Sequence, residues 1–403
     1  MVSWKRRRLL ICGFYGHHNL GDEAMLAGML CLLKRCLGQQ CLDHITVYSN
    51  DPEDTVMRHG VVALPNQFPR RRREHWVKWA THTLALWQHQ YFILGGGDLL
   101  RDSPERNVAL TWLQPLQRAM ALGCHTIVLG ISVGEVWKPQ TKAVIAKTLN
   151  RVDLIVVRDQ QSRRQLQQMG VTGAIYIMGD LALQLMPRHS ASVAPTSSTM
   201  HVATAPHVGI SIRSLTGRLA ELDQAAESSF YREMAKIIDY LIEVKGAKVS
   251  LLPFQAYPPG YIAQHRPADN DEEAIAAVLA HSTHSQQVVV HAAFASVEQA
   301  IDTLQTFDVI IGTRLHALIL AAGLGVPLLA AAYDRKVSGF MTEIDQQDNS
   351  VWVQQFTLEQ VKSRLDYLLE HRLESQQQLG SAIDRYCQQS IPVADRLCKL
   401  LNS

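Results

Sequence analysis

The sequence predicts an α/β protein built as two doubly wound lobes, and three observations carry that prediction. Short apolar runs alternate with longer amphipathic ones up to Met186. The alternation stops over Pro187 to Pro206, a stretch rich in Ser, Thr, Ala and Pro. It then resumes, and the chain ends on helical periodicity alone. Strands alternating with helices imply a parallel sheet covered on both faces. At 403 residues, two cores of ordinary size are also the prior from length.

In the first lobe, strands are expected at 9–13, 44–49, 90–94, 125–130, 153–157 and 174–177. Helices are expected at 22–37, 75–87, 105–122, 138–150 and 160–169. After the break, strands fall at 207–212, 248–252, 287–290, 308–311 and 327–331. Helices fall there at 227–244, 271–280, 296–303 and 315–324, with one or two more over 358–400. The domain limits that follow are 1–187, a linker at 188–206, 207–356, and C-terminal helices at 357–403. In such sheets, ligands bind beyond the carboxyl ends of the strands.

Composition narrows the function. Thirty-nine basic residues nearly balance 37 acidic ones, for a net charge of +2, so nucleic acid is not the expected partner. The apolar run Leu9-Leu10-Ile11-Cys12 stops at Gly13, too early for a signal peptide. No apolar stretch is long enough to span a bilayer, and a cytoplasmic protein is expected. The seven cysteines include no CxxC pair and read as reduced thiols packed in the core. Two basic runs, Lys5 to Arg8 and Arg70 to Arg73, fit either solvated surface or anionic lipid. Beside the second run, Trp76, Trp79 and Trp87 fit either peripheral membrane contact or a partly buried helix face.

Four segments carry chemistry. In the first, Gly13-Phe14-Tyr15-Gly16-His17-His18-Asn19-Leu20-Gly21-Asp22-Glu23 runs from a strand into a helix. Asn19 or Asp22 can cap that helix. Asp22 and Glu23 at its start disfavour phosphate and suit sugar hydroxyls; alternatively they only complement the helix dipole. The loop matches neither GxGxxG nor a P-loop. In the second segment, Gly95-Gly96-Gly97-Asp98 ends an apolar strand, with Asp98, Arg101 and Asp102 projecting toward a ligand.

The third segment, Gly312-Thr313-Arg314-Leu315-His316, places a guanidinium and an imidazole at a helix N-terminus with Thr313 as a possible cap. No acid occurs between Asp308 and Asp334, so the partner of Arg314 must come from elsewhere, and a ligand is a good candidate. Lys336 follows the next strand and Arg213 ends the first strand after the linker, which completes the fourth element. Three cations and a histidine at strand ends make a site for a doubly charged small anion.

The chain resembles the polysaccharide pyruvyltransferase family, in particular its CsaB-type members. The resemblance rests on G-F-Y-G-H-H-N-L-G-D-E-A, L-G-G-G-D-L-L-R-D, V-R-D at 157–159, G-D-L-A at 179–182, T-R-L-H-A-L-I-L-A-A-G-L-G-V-P and A-Y-D-R-K-V. These occur in the family's order over roughly residues 9–340. The resemblance implies two Rossmann-like lobes in a GT-B-like arrangement and no metal or other cofactor. It implies transfer of pyruvate from phosphoenolpyruvate, as co-substrate, onto a sugar of a cell-surface glycan precursor, lipid-linked at the inner membrane face in CsaB-type enzymes. The product is a cyclic ketal plus phosphate.

By that analogy, Arg213, Arg314, Leu315 and Lys336 bind the donor and His316 is the catalytic acid. Asn19, Asp22, Glu23, Gly96, Gly97 and Asp98 are the acceptor-side candidates. The chain departs from the family pattern at His17-His18 and at Gly130-Ile131-Ser132-Val133-Gly134, both on the acceptor side. A nucleotide-sugar glycosyltransferase of the same shape is the second enzyme reading, and a non-catalytic sugar or anion binder is the reading from another class.

Overall fold

The computed structural model describes residues 8–66, 76–102, 108–186, 205–215, 224–257 and 269–402. The run Arg70 to Arg73, most of Lys5 to Arg8 and nearly all of the 188–206 linker lie outside them. The chain divides into two compact lobes. The first comprises Met1–His17, Asp22–Leu185 and Cys387–Ser403; the second comprises His18–Gly21 and Met186–Tyr386.

The first lobe holds β1 (Leu9–Cys12), α1 (Leu20–Leu37), β2 (Ile45–Ser49), α2 (Pro52–His59), β3 (Val62–Pro65) and α3 (Trp76–Gln88). It continues with β4 (Tyr91–Leu100), α4 (Val108–Ala121), β5 (His125–Val133), α5 (Pro139–Leu149), β6 (Leu154–Val157), α6 (Gln160–Gln168) and β7 (Ile175–Ile177). The seven strands are parallel in the order β3-β2-β1-β4-β5-β6-β7.

The second lobe holds β8 (His207–Ser211), α7 (Gln224–Glu243), β9 (Lys248–Leu251), α8 (Asp271–Leu279), β10 (Val289–Val290), α9 (Val297–Leu304) and β11 (Val309–Gly312). It continues with α10 (Leu315–Gly323), β12 (Leu328–Ala332), α11 (Arg335–Glu343), β13 (Ser350–Trp352), α12 (Leu358–Glu370) and α13 (Arg372–Gln388). Its six parallel strands run β10-β9-β8-β11-β12-β13. In both lobes the order reverses beside the first strand, so the switch points lie at β1/β4 and β8/β11.

Three expectations change. The triple glycine does not end a strand: β4 runs on to Leu100, with Gly96 and Gly97 at φ 72° and 86° and a register shift against β5 before Leu100. Only glycine adopts such angles without strain, and the sheet absorbs them as an irregularity instead of a turn. The C-terminal run is three helices, the last being α14 (Ser390–Asn402), which belongs to the first lobe. There Val393, Leu397 and Leu401 pack in one core cluster with Leu9 and Ile11 of β1 and with Leu26, Met29 and Leu33 of α1.

The cysteines are not all reduced. Cys36 of α1 and Cys398 of α14 form a disulfide, their Cα atoms 4.7 Å apart. Their 362-residue separation hides the pairing from any reading of local spacing. Cys12, Cys31, Cys41, Cys124 and Cys387 are not disulfide-bonded.

The helix α1 passes against backbone at Gly28, where a Cβ would stand 1.9 Å from the carbonyl oxygen of Leu181. Gly28→Ala adds helix propensity of about 1 kcal/mol. It overpacks against main chain, which cannot rotate away, at a cost of about 1–3 kcal/mol or more. We expect a net loss of stability, read as a lower urea midpoint.

Candidate functional site

In the second lobe the switch point gathers the cations expected from sequence. Arg213 follows β8, Arg314 follows β11 and Lys336 lies in the first turn of α11 after β12. Thr313 is not the cap of α10; Arg314 occupies that position without a side-chain cap bond. The Thr313 hydroxyl instead accepts from Arg213 N at 2.9 Å and so ties the ends of β8 and β11 together.

Arg314 has partners within the chain, contrary to the expectation that a ligand would supply one. Its Nε donates to both oxygens of Asp271 at 2.9 Å, its Nη1 to Gln255 Oε1 at 2.9 Å and its Nη2 to Asp269 Oδ1 at 2.8 Å. Asp271 also accepts from the backbone N of Phe254 at 2.9 Å and of Gln255 at 3.0 Å. Asp269 further pairs with Arg213 at 2.5 Å, and Lys336 lies 3.7 Å from Asp334. The acids lie more than forty positions before Arg314, so a search of its own neighbourhood in sequence misses them.

Burial lifts the Asp271 carboxyl above its usual range, against the opposing pull of Arg314. Arg314 itself stays charged: burial alone would lower its pKa, and Asp271 and Asp269 more than offset that.

Tyr333, absent from the sequence-based candidates, sits at the centre of this group. Its hydroxyl accepts from Arg213 Nη1, and the Arg213 and Lys336 charges lie 4.8 and 5.8 Å from its ring centroid. Burial opposes its ionisation, yet Lys336, Arg213 and Arg314 together outweigh burial and hold the phenol below its ordinary value. We expect a phenolate signal below about pH 10 in an ultraviolet titration, lost in Tyr333→Phe. An unchanged curve in the variant would place that phenol elsewhere.

His316, in the first turn of α10, faces the 18–21 segment. A Cβ on Gly21 would stand 2.2 Å from its Nδ1. That segment is fixed by Leu20 N donating to Phe254 O at 2.9 Å and by a bridge between Asn19 and Gln255. Asn19 Oδ1 accepts from Gly21 N at 3.1 Å and starts α1 as expected of a cap. Arg314, Gln255, residues 19–21 and His316 therefore form one connected set.

The acceptor-side candidates of the first lobe separate by partner. Glu23 is committed: Oε1 accepts from Gly16 N at 2.9 Å and Oε2 lies 2.8 Å from His59 Nε2, with both side chains buried. Asp102 is turned inward, accepting from Trp137 N at 2.8 Å and Lys138 N at 2.7 Å, and so does not project toward a ligand. Asp22 lies beside Gly97, its Oδ1 3.8 Å from where a Cβ on that glycine would be.

Asp98 and Ser132 are neighbours across β4 and β5. Asp98 Oδ1 and Ser132 Oγ are buried, and neither has a hydrogen-bond partner among the described residues. Buried polar atoms are ordinarily paired, so these two atoms, side by side at one strand register, are a place in the first lobe where a hydroxyl-bearing ligand would find partners.

A sequence profile of the polysaccharide pyruvyl transferase family matches residues 19–335. The amylovoran biosynthesis protein AmsJ of Erwinia amylovora is 26% identical over 268 residues, which span 64% of this chain and 61% of that protein's length. Among solved structures, UDP-GlcNAc 2-epimerase of Neisseria meningitidis, bound to UDP-GlcNAc, aligns with TM-score 0.56 and 8% identity over 97% of this chain and 100% of the other. The UDP-GlcNAc 2-epimerase of Methanocaldococcus jannaschii aligns with TM-score 0.55 and 10% identity, over 90% and 92%. At such identities these structures show the two-lobed α/β fold alone. The profile spans well over half of the residues, and the chain belongs to the polysaccharide pyruvyl transferase family.

Proposed function

We propose that this protein moves pyruvate from phosphoenolpyruvate onto two hydroxyls of a sugar, forming a cyclic ketal and releasing phosphate. The observation that carries the donor half is the set of cations at the carboxyl ends of β8, β11 and β12, where Arg213 and Lys336 lie 4.8 and 5.8 Å from the ring centroid of buried Tyr333, an arrangement that favours negative charge. Lys336 is the cation best placed to exchange partners, because its pairing with a half-exposed Asp334 is weak. Arg213 and the uncapped N–H groups at Leu315 complete the donor side. Arg314 adds its charge while holding Asp271 and Gln255.

In the reaction His316 gives a proton to C3 of the enol, which places positive charge at C2. Two sugar oxygens bond to C2, the bond from C2 to the phosphate oxygen breaks, and the hydroxyl protons leave to base and phosphate. On the first lobe, Asp98 Oδ1 and Ser132 Oγ take sugar hydroxyls, with Asp22 beside Gly97.

A thermal-shift titration tests the donor. A ligand bound only by the folded state adds about 2.7 kcal/mol at a hundredfold excess over Kd. Phosphoenolpyruvate should raise the melting temperature of the wild type and fail to do so in Lys336→Ala. A shift with a UDP-sugar and none with phosphoenolpyruvate would sink the reading in favour of a glycosyltransferase.

A further inference from the structure

Membership of the family points to a sugar acceptor without saying whether that sugar is charged. The first lobe bears on the question. Asp98 and Ser132 face each other at one register of β4 and β5, so both side chains leave the sheet on the same face. Ser132 is only 6% exposed, and its hydroxyl has no hydrogen-bond partner among the described residues. Gly134 sets the Asp98 carboxylate in place. A Cβ on that glycine would stand 2.9 Å from Asp98 Oδ1 and 3.3 Å from Oδ2, so the carboxylate lies against bare main chain. The Gly134 N–H is spent on Leu100 O at 3.0 Å and offers Asp98 nothing. An oxygen buried without a donor costs stability, and a ligand hydroxyl would supply the missing bond.

Charge at this place is negative and uncompensated. Neither Arg101, which is exposed, nor any other described cation pairs with Asp98. Asp22, in the first turn of α1, brings a second carboxylate, its Oδ1 3.8 Å from where a Cβ on Gly97 would be. Arg158 follows β6, the strand beside β5, but it is shared between Asp159 at 3.3 Å and Asp180 at 3.5 Å. One guanidinium there already faces two acids. A carboxylate only accepts hydrogen bonds, whereas a serine hydroxyl both donates and accepts. Asp98 and Ser132 together therefore fit one neutral hydroxyl. A carboxylate on the ligand has no hydrogen to give Asp98 and meets a like charge.

We propose that this place makes the protein selective for a neutral acceptor sugar. One hydroxyl of the sugar donates to Asp98 Oδ1 and accepts from Ser132 Oγ, and a uronic acid is turned away by Asp98 and Asp22. The inference rests on the pyruvyl transfer reading and adds to it the charge class of the acceptor and the residues that set it.

Phosphate release from phosphoenolpyruvate would be measured with the methyl glycosides of glucose, galactose, mannose and N-acetylglucosamine. The methyl glycosides of glucuronic and galacturonic acid would run beside them. The wild type should favour a neutral glycoside over its matching uronide by at least about tenfold in kcat/KM. Asp98→Asn should bring that ratio toward one, an effect that loss of a merely structural contact would not produce. Ser132→Ala should lower the rate with the neutral glycoside by up to about tenfold and leave the preference for it standing. The phosphoenolpyruvate thermal shift, retained in each variant, shows that the fold and the donor side are intact. Should Asp98→Asn lose that shift, Asp98→Ser replaces it. A wild type without the shift brings down the pyruvyl transfer reading and this inference with it. A wild type that keeps the shift but uses none of the neutral glycosides, or uses uronides equally well, overturns this inference alone. So does an unchanged ratio in the Asp98 variant.

Discussion

Arg314→Met should destabilise the protein by about 3–5 kcal/mol at neutral pH, because it takes from the buried Asp271 carboxylate the guanidinium that compensates it, while Asp269 keeps Arg213. Asp271 is fully enclosed, and Arg314 is the cation it faces at hydrogen-bond distance. The size of the loss should depend on pH. Burial raises Asp271 above its unfolded value even with Arg314 present, so its contribution to stability is full below about pH 4 and is lost as pH rises through the folded value. Removing the guanidinium raises that value further. Urea unfolding of wild type and variant at about pH 5 and pH 8 should therefore show a larger gap at pH 8. An equal gap at both would mean that Asp271 is not the group left exposed to the change. For the same reason Arg314→Ala is a poor probe of donor binding, since it perturbs the fold before it perturbs a ligand.

His316→Gln should reduce turnover by about 10²–10⁴-fold while the phosphoenolpyruvate thermal shift largely survives, the range for loss of a general acid. Gly21→Ala supplies an independent arm. Its added methyl would lie 2.2 Å from His316 Nδ1 and 2.5 Å from Cγ, so the ring must turn away. Because Gly21 carries no proton to give, a comparable loss of turnover there would come from misplacing the imidazole. Unchanged rates in both variants would remove His316 from the chemistry; a loss of the donor shift in His316→Gln would recast it as a binding residue.

The alternation of apolar and amphipathic runs made β1, β2 and β4 to β12 legible, since most of these parallel strands read as continuous runs of apolar residues. The short β3 and β13 left no such run: Val62–Pro65 and Ser350–Trp352 are too brief and too mixed. The site was legible where charge sits at strand ends, as at Arg213, Arg314 and Lys336. It was illegible where meaning depends on partners. Asp269 and Asp271 follow a segment without periodicity, Tyr333 looks like one more aromatic after a buried strand, and the commitment of Glu23 to His59 joins residues 36 apart. Periodicity reports which face is buried; it says nothing about which buried charges meet.

The placement of α14 bears on the order in which the molecule can be made. Its apolar residues complete the layer over α1 and β1, yet they leave the ribosome after every strand of both sheets. At synthesis rates of about 5–20 residues per second, the first 186 residues wait on the order of 10–40 seconds for the helix that covers them. Over that interval the second lobe, whose strands are contiguous, can close on its own. The first lobe holds an open apolar groove in the nascent chain, which makes it the half expected to need a chaperone.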